Sequence, residues 1–365
     1  MSEFKQLPAL PPPANTTGVV GWLKQNLFSS VLNSILTLVT FYLLYITLVP
    51  AFDWAFFSAV FSGDDRSACE GIDGACWAFV DNRLGVFIYG TYPDAERWRL
   101  DLCFLLLVLS FGPQFFEKFP YKMPLGIFSL TGFPVIAFFL IAGGMGLTHV
   151  ETESWGGLAL TLVIAYVGIV AALPIGVVLA LGRRSDMPVI RTVCVAFIEL
   201  WRGVPLISVL FMSSVMLPLF LPEGMNFDKL LRALIGITMF QSAYMAEVIR
   251  GGLQAIPRGQ YEAAKALGLS YWKSMGLIIL PQALKLVIPG IVNTFIALFK
   301  DTTLVLIIGL LDVLATVQLA ILDPAWGNVR VEGYVFASAC FWIFCFGMSQ
   351  YSIKLEKKLH TGHKR

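Results

Sequence analysis

Apolar residues in this chain do not alternate with polar ones; they come in long unbroken runs separated by short polar stretches. A helix that crosses a bilayer needs about 20 mostly apolar residues. Eight runs approach or exceed that length: 31–51, 100–116, 124–147, 157–181, 189–221, 230–249, 275–299 and 331–351. The fifth is too long for one straight crossing and contains Glu199, Arg202, Gly203 and Pro205, so it reads as a short leading helix, a break and then the crossing. A further apolar stretch, 302–322, is bounded by Lys300-Asp301 and by Asp323-Pro324 and reads as re-entrant rather than as a ninth span. The expected fold is an all-α polytopic membrane protein. A tail at 1–30 leads into three spans over 31–147 with a long loop at 52–99; five further spans fill 157–359, and a short tail follows at 360–365.

Composition supports the pattern: 57% of residues are hydrophobic and only 14% are charged, against about a quarter charged in soluble domains. Orientation follows from lysine and arginine in the short loops. With eight spans and a cytoplasmic N-terminus, the inside segments hold 16 of the 26 basic residues, and the outside loop 52–99 carries eight acids against four bases. A ninth span would place the basic C-terminus outside. The net charge of +2 gives no reason to expect a nucleic-acid partner. The three histidines, His149, His360 and His363, have no metal-ligand spacing, and no phosphate-binding glycine loop of the GxxxxGK[ST] type occurs. The first 20 residues are polar and proline-rich, so no cleaved leader is expected.

The most informative stretch is 250–284, RGGLQAIPRGQYEAAKALGLSYWKSMGLIILPQAL. Pro257, Arg258 and Gly259 read as a turn that releases the chain from the preceding span. The next residues, through Leu267, favour a helix, with Glu262 expected in its first turn, where the helix dipole favours an acid. Gly268 ends it. Ala263, Ala264 and Ala266 are small enough to let a partner approach. Such a helix either sits in a groove of a peripheral protein or is an ordinary solvated connector.

This stretch resembles the EAA loop of the permease subunits of bacterial ATP-binding-cassette importers: Glu262, Ala263, Ala264, Gly268, Ile278, Leu280 and Pro281 stand at the family spacing. WRGVPL (201–206), AYMAEVIRGGL (243–253) and FIALFKDTTL (295–304) are similar to the polar amino-acid branch of that family. GACW (74–77) and YGTYPDAERWR (89–99) resemble the larger permease of the general L-amino-acid importers. The resemblance implies a type I importer permease core of five spans, preceded by three extra N-terminal spans, in a bacterial inner membrane with both termini cytoplasmic. It implies partners: an ATPase dimer gripping Gly259, Glu262, Ala263, Ala264, Lys265 and Gly268, a second homologous permease, and a periplasmic amino-acid-binding protein. ATP and Mg would then belong to the ATPase, with no cofactor on this chain and no enzymatic step of its own.

Polar groups inside spans are costly and mark either internal pairing or an aqueous path. Glu199 and Arg202, three apart, would share a helix face and neutralise each other, or line the path. Gln241, with Ser242 and Tyr244, would bond between helices or face cargo. Asn293, Thr294, Asp301 and Thr302 fall in the outer part of the seventh span and just beyond. There they would hold an amino acid's shared backbone groups or form an interface. With Glu199 matched to Arg202, Glu247 to Arg250 and Asp301 to Lys300, the path reads as close to neutral. Cys69 and Cys76 share the outside loop and are candidates for a disulfide in an oxidising compartment, though spacing alone does not fix the geometry. Two other classes compete. An ion-gradient-driven secondary transporter should carry intramembrane acids in a repeat and no docking helix; a membrane enzyme needs a cluster of reactive side chains at one face, which the sequence lacks.

Overall fold

The computed structural model describes residues 18–116, 119–222 and 227–359; the expected tail at 360–365 and most of the one at 1–30 lie outside these. Among the described residues there are sixteen α-helices and no β-strand. The chain divides into two compact units, Met1–Phe79 and Val80–Arg365.

In the first unit, α1 (Gly18–Asn26) precedes α2 (Val31–Phe52). Ser30 caps α2 by accepting the N–H of Asn33, satisfying one of the amide groups that a helix start leaves unpaired. A π-helical turn, Asp53–Phe57, prolongs α2, so that the apolar helix runs 27 residues from Val31 to Phe57. Past it the chain folds back: the Trp77 indole donates to the Ala55 carbonyl at 2.7 Å, and Ala75 N–H donates to Trp54 O at 2.8 Å. Cys69 and Cys76 are disulfide-bonded, with Cα atoms 5.7 Å apart.

The helix α3 (Trp77–Tyr89) begins in the first unit and ends in the second, which continues through α4 (Arg97–Phe111), α5 (Lys122–Ala142), α6 (Gly157–Arg183), α7 (Pro188–Gly203), α8 (Leu206–Phe211), α9 (Leu217–Phe220) and α10 (Lys229–Ala255). There follow α11 (Arg258–Ala266), α12 (Tyr271–Ser274), α13 (Leu280–Leu286), α14 (Ile288–Asp301), α15 (Val313–Ala320) and α16 (Arg330–Leu359). The centre is the α6–α10 pair. Gly168, Ala172, Gly176 and Ala180 recur every fourth residue on α6 and are all buried. That stripe of small residues lets backbones approach where lipid provides no hydrophobic drive between helices. A Cβ placed on Gly176 would lie 2.7 Å from Met245 Cγ, and one on Gly168 would lie 2.8 Å from Leu298 Cδ2.

At the start of α6 several elements are tied together. Gly157 N–H donates to Leu311 O at 2.9 Å, and Val313 N–H donates to the Thr161 hydroxyl at 3.0 Å. Arg83 pairs with Asp323. Gly90, at φ +64°, lies so close to Gly156 that a Cβ would stand 2.4 Å from its Cα, a contact only glycine permits. Arg99, 2% exposed, ion-pairs with Glu96 at 2.5 Å and donates to the Thr148 carbonyl at 2.8 Å. The Thr148 hydroxyl in turn donates to Glu96 at 2.7 Å and holds that carboxyl below its ordinary range. The motif at 89–99 is therefore an internal brace of the second unit.

Several boundaries differ from expectation. Among the described residues, five helices are long and apolar enough to cross a membrane, and α7 with Leu206–Phe220 adds a sixth if that pair, bent by 104°, is one span. The run 31–51 extends to Phe57, and the expected loop 52–99 holds α3 and the start of α4. The run 100–116 becomes a 15-residue helix and a 3₁₀ turn, Gly112–Phe115. The run 275–299 breaks at Val287, because Pro289 has no N–H to continue the ladder, and the long apolar helix instead covers Ile288–Ile308. Thr302 therefore lies inside that helix rather than past it. The stretch 302–322 turns at Gly309, φ +75°, and ends in α15, whose eight residues are too few to cross a bilayer.

Candidate functional site

Two neighbouring features carry the chemistry. The first is α11. It begins at Arg258, one turn earlier than expected, so Arg258 and Gly259 are helical and Glu262 stands in the second turn, where the dipole argument no longer applies. Its C-terminus is a Schellman motif: Leu269 N–H donates to Ala264 O at 3.2 Å, Gly268 N–H donates to Lys265 O at 3.0 Å, and Gly268 takes φ +69°. Ala264, 1% exposed, faces the body of the protein and not a partner, which corrects the expectation that all three alanines point outward. Gly259, Glu262, Ala263, Lys265 and Ala266 are exposed. Tyr261 anchors the helix from below. Its hydroxyl donates to Leu253 O at 2.9 Å and accepts from Arg184 at 3.0 Å, while the Arg184 guanidinium lies 5.5 Å over its ring. Gln282 donates to Gln260 at 3.1 Å, fastening the same helix to α13. Burial pushes the Tyr271 phenol, just beyond, above its ordinary range. What results is a short, rigid, mostly polar ridge, flanked by the exposed Leu267 and Trp272.

The second feature is a charge network at the Arg183 end of α6, one residue from the Arg184 that holds α11. Arg183 reaches Glu199 at 2.8 Å and Glu247 at 2.9 Å. Arg250 donates to Glu247 at 2.9 Å, and Arg202 lies 3.5 Å from the same carboxylate. Glu199 and Arg202 do not pair with each other, contrary to expectation: Arg183 from α6 takes Glu199, and Arg202 turns to Glu247 on α10. Three helices are thereby joined. In the sequence Arg183 falls two residues past the apolar run 157–181, and that closeness to the end of a span was the available signal. The Arg202 guanidinium also lies 5.7 Å over the Tyr244 ring, a cation–π contact.

Gln241, 3% exposed, donates to the Thr294 carbonyl at 2.7 Å, so the structure brings these two together across α10 and α14. The Thr294 hydroxyl donates to Gly290 O at 2.8 Å and that of the buried Thr302 to Phe299 O at 2.8 Å. Asn293 is exposed, and Asp301 is half-buried at the end of α14. No group of three or more metal-ligating side chains is found among the described residues.

Residues 172–358, which include α11 and the charge network, match the family described as binding-protein-dependent transport system inner membrane component. The chain belongs to that family. The inner membrane amino-acid ABC transporter permease protein YhdY of Escherichia coli (strain K12) is 54% identical over 356 residues, 97% of each chain. The glutamate/glutamine/aspartate/asparagine transport system permease protein BztC of Rhodobacter capsulatus is 38% identical, over 97% of this chain and 96% of that protein. The glutamate/aspartate import permease protein GltK of Escherichia coli O157:H7 is 37% identical over 198 residues, 53% of this chain and 87% of that one. A solved structure described as an amino acid ABC transporter with histidines is 29% identical, with TM-score 0.49, over 55% of this chain and 92% of that one. The permease thus shares its N-terminal part with the YhdY and BztC proteins as well as its family core.

Proposed function

We propose that this permease moves amino acids from periplasm to cytoplasm by alternating access, driven by ATP hydrolysis on a separate ATPase dimer that grips α11. The observation that carries the reading is the build of α11 itself. Its exposed ridge of Gly259, Glu262, Ala263 and Lys265 is fixed to the body by two hydrogen bonds of Tyr261 and closed by the Schellman cap, so a push on the ridge would be passed to α6 and α10 rather than absorbed. Closure of the ATPase dimer would push α11, and Arg184 would carry the displacement to the end of α6 and so to the helices joined at Glu247, biasing a two-state switch.

Cargo enters the proposal through the names of the YhdY, BztC and GltK relatives. A second permease would close the path, a periplasmic binding protein would deliver cargo, and both termini would lie in the cytoplasm. ATP and Mg would be held by the ATPase. Purification of the complex from native membranes through a tag on this chain tests the assembly. We expect the ATPase and a second permease in stoichiometric amounts; recovery of this chain alone, in a state that still transports, would refute it.

A further inference from the structure

Asp312 is a buried acid that the proposed cycle does not use. It lies just past the apolar helix Ile288–Ile308, between the turn at Gly309 and α15, and is 0% exposed. Its Oδ1 caps α15 by accepting the Ala315 N–H at 2.9 Å. Its Oδ2 is closed off from solvent and has no hydrogen-bond partner among the described residues. The backbone on either side is tied to the start of α6: Gly157 N–H donates to Leu311 O at 2.9 Å, and Val313 N–H donates to the Thr161 hydroxyl at 3.0 Å. That hydroxyl donates in turn to Gly157 O at 3.1 Å.

A carboxylate in such a place needs a cation or several donors, and its surroundings supply one donor. α6 carries no titratable side chain before Tyr166, and neither α15 nor the 3₁₀ segment Thr302–Ile308 carries any. Farther out, Glu153 ahead of α6 is exposed, Lys300 and Asp301 precede the 3₁₀ segment, and Arg330 and Glu332 open α16. Asp323 is taken by Arg83, and the Lys229 ammonium lies beside Gly309, 3.9 Å from where a Cβ would stand. None of these charges acts on Asp312. Burial, the largest influence, raises its carboxyl above the ordinary aspartate range, and the N–H groups of Ala315, Leu314 and Asp312 oppose burial. The one ligand small enough to reach Oδ2 without rearrangement is a proton.

We propose that Asp312 is a proton-binding site, and that its proton locks α15 onto the start of α6. With the proton on, a neutral carboxyl sits in the dry junction and keeps the Ala315 cap. Ionisation breaks the O–H bond, passes the proton to water and leaves a carboxylate that water must enter to solvate. The cross-bonds at Gly157 and Val313 stand in the way of that water and weaken. The sign follows from the raised carboxyl: the proton's contribution to stability is complete below the ordinary aspartate range and is lost as pH rises through the folded value. The inference involves neither ATPase nor cargo, so it stands apart from the importer reading.

The test compares the purified full chain in detergent with Asp312→Asn, which keeps the cap and cannot ionise; Asp312→Ser, a second neutral cap, replaces it if it does not fold. Infrared spectra are titrated from about pH 5 to about pH 9. We expect a protonated-carboxyl stretching band that shifts in heavy water, fades as the pH rises and is missing from the variant. Hydrogen exchange of peptides covering Gly157 and Val313 should match in the two proteins at the acid end. At the alkaline end it should be about tenfold faster in the wild type, the factor carried by one unit of carboxyl shift. No such band at any pH, or equal exchange at both ends, would overturn the proposal.

Discussion

At the scale of single residues, Glu247 is the hub on which α6, α7 and α10 meet, and its environment makes it costly to neutralise. With its side chain 15% exposed and three arginines within 3.5 Å, removing its charge leaves those cations mutually repelling and partly desolvated. Loss of one partner from such a buried pair costs about 3 kcal/mol. Glu247→Gln should therefore lower the thermal unfolding temperature of the purified protein in detergent, whereas Glu199→Gln, at a side chain 55% exposed, should cost under about 1 kcal/mol. Equal effects of the two substitutions would show that the network has no hub. The sequence displayed all five charges but not their pairing. Glu199 and Arg202 are three apart and on one helix face, which made them natural partners; Arg183, sixteen residues before Glu199, wins because α6 and α7 fold back on each other.

At the scale of elements, α11 was the most legible part of the chain. Its terminator was readable because a glycine after a helix marks the left-handed C′ position, and Gly268 adopts it at φ +69°. Its start was not, because Arg258 and Gly259 resemble a turn in isolation, and the helix begins straight after Pro257 without a side-chain cap to mark it. Gly268→Val forces a β-branched side chain into the left-handed region at a cost of about 1–2 kcal/mol, and the space around it is otherwise open. We expect that variant to insert and fold, with unaltered yield, but to bind the ATPase more weakly in a pull-down. An unchanged pull-down would show that the Schellman end does not set the docking geometry. The long apolar helices were equally readable in α6, which runs unbroken through Pro174, and in α16. Where Pro289 interrupts the run, the apolar stretch 275–299 reads as one span, and the structure instead breaks at Val287 and continues in a helix reaching Ile308. Hydropathy alone cannot place such a break, since the residues on both sides are equally apolar.

At the scale of the whole molecule, the proposed orientation rests on the excess of lysine and arginine in alternate loops, and it makes a sided prediction. With Cys103, Cys194, Cys340 and Cys345 replaced, single cysteines at Ser62 and Lys354, both exposed positions, should label from opposite faces of sealed vesicles. Labelling from one face would reverse the proposed position of one terminus. The N-terminal part was the least legible: its motifs at 74–77 and 89–99 signalled a particular branch of the family but not their structural use, which for Arg99 and Thr148 depends on residues 49 apart in the chain. The central claim is that α11 receives the stroke of an ATPase on another chain. ATP-driven amino-acid uptake by proteoliposomes holding the complete complex, with Glu262→Lys beside wild type, tests it most directly. The account predicts robust uptake by wild type and a loss of about tenfold or more in the variant, because the charge would be reversed where the ridge seats in the ATPase. Undiminished uptake by Glu262→Lys, at normal levels of assembled complex, would contradict it.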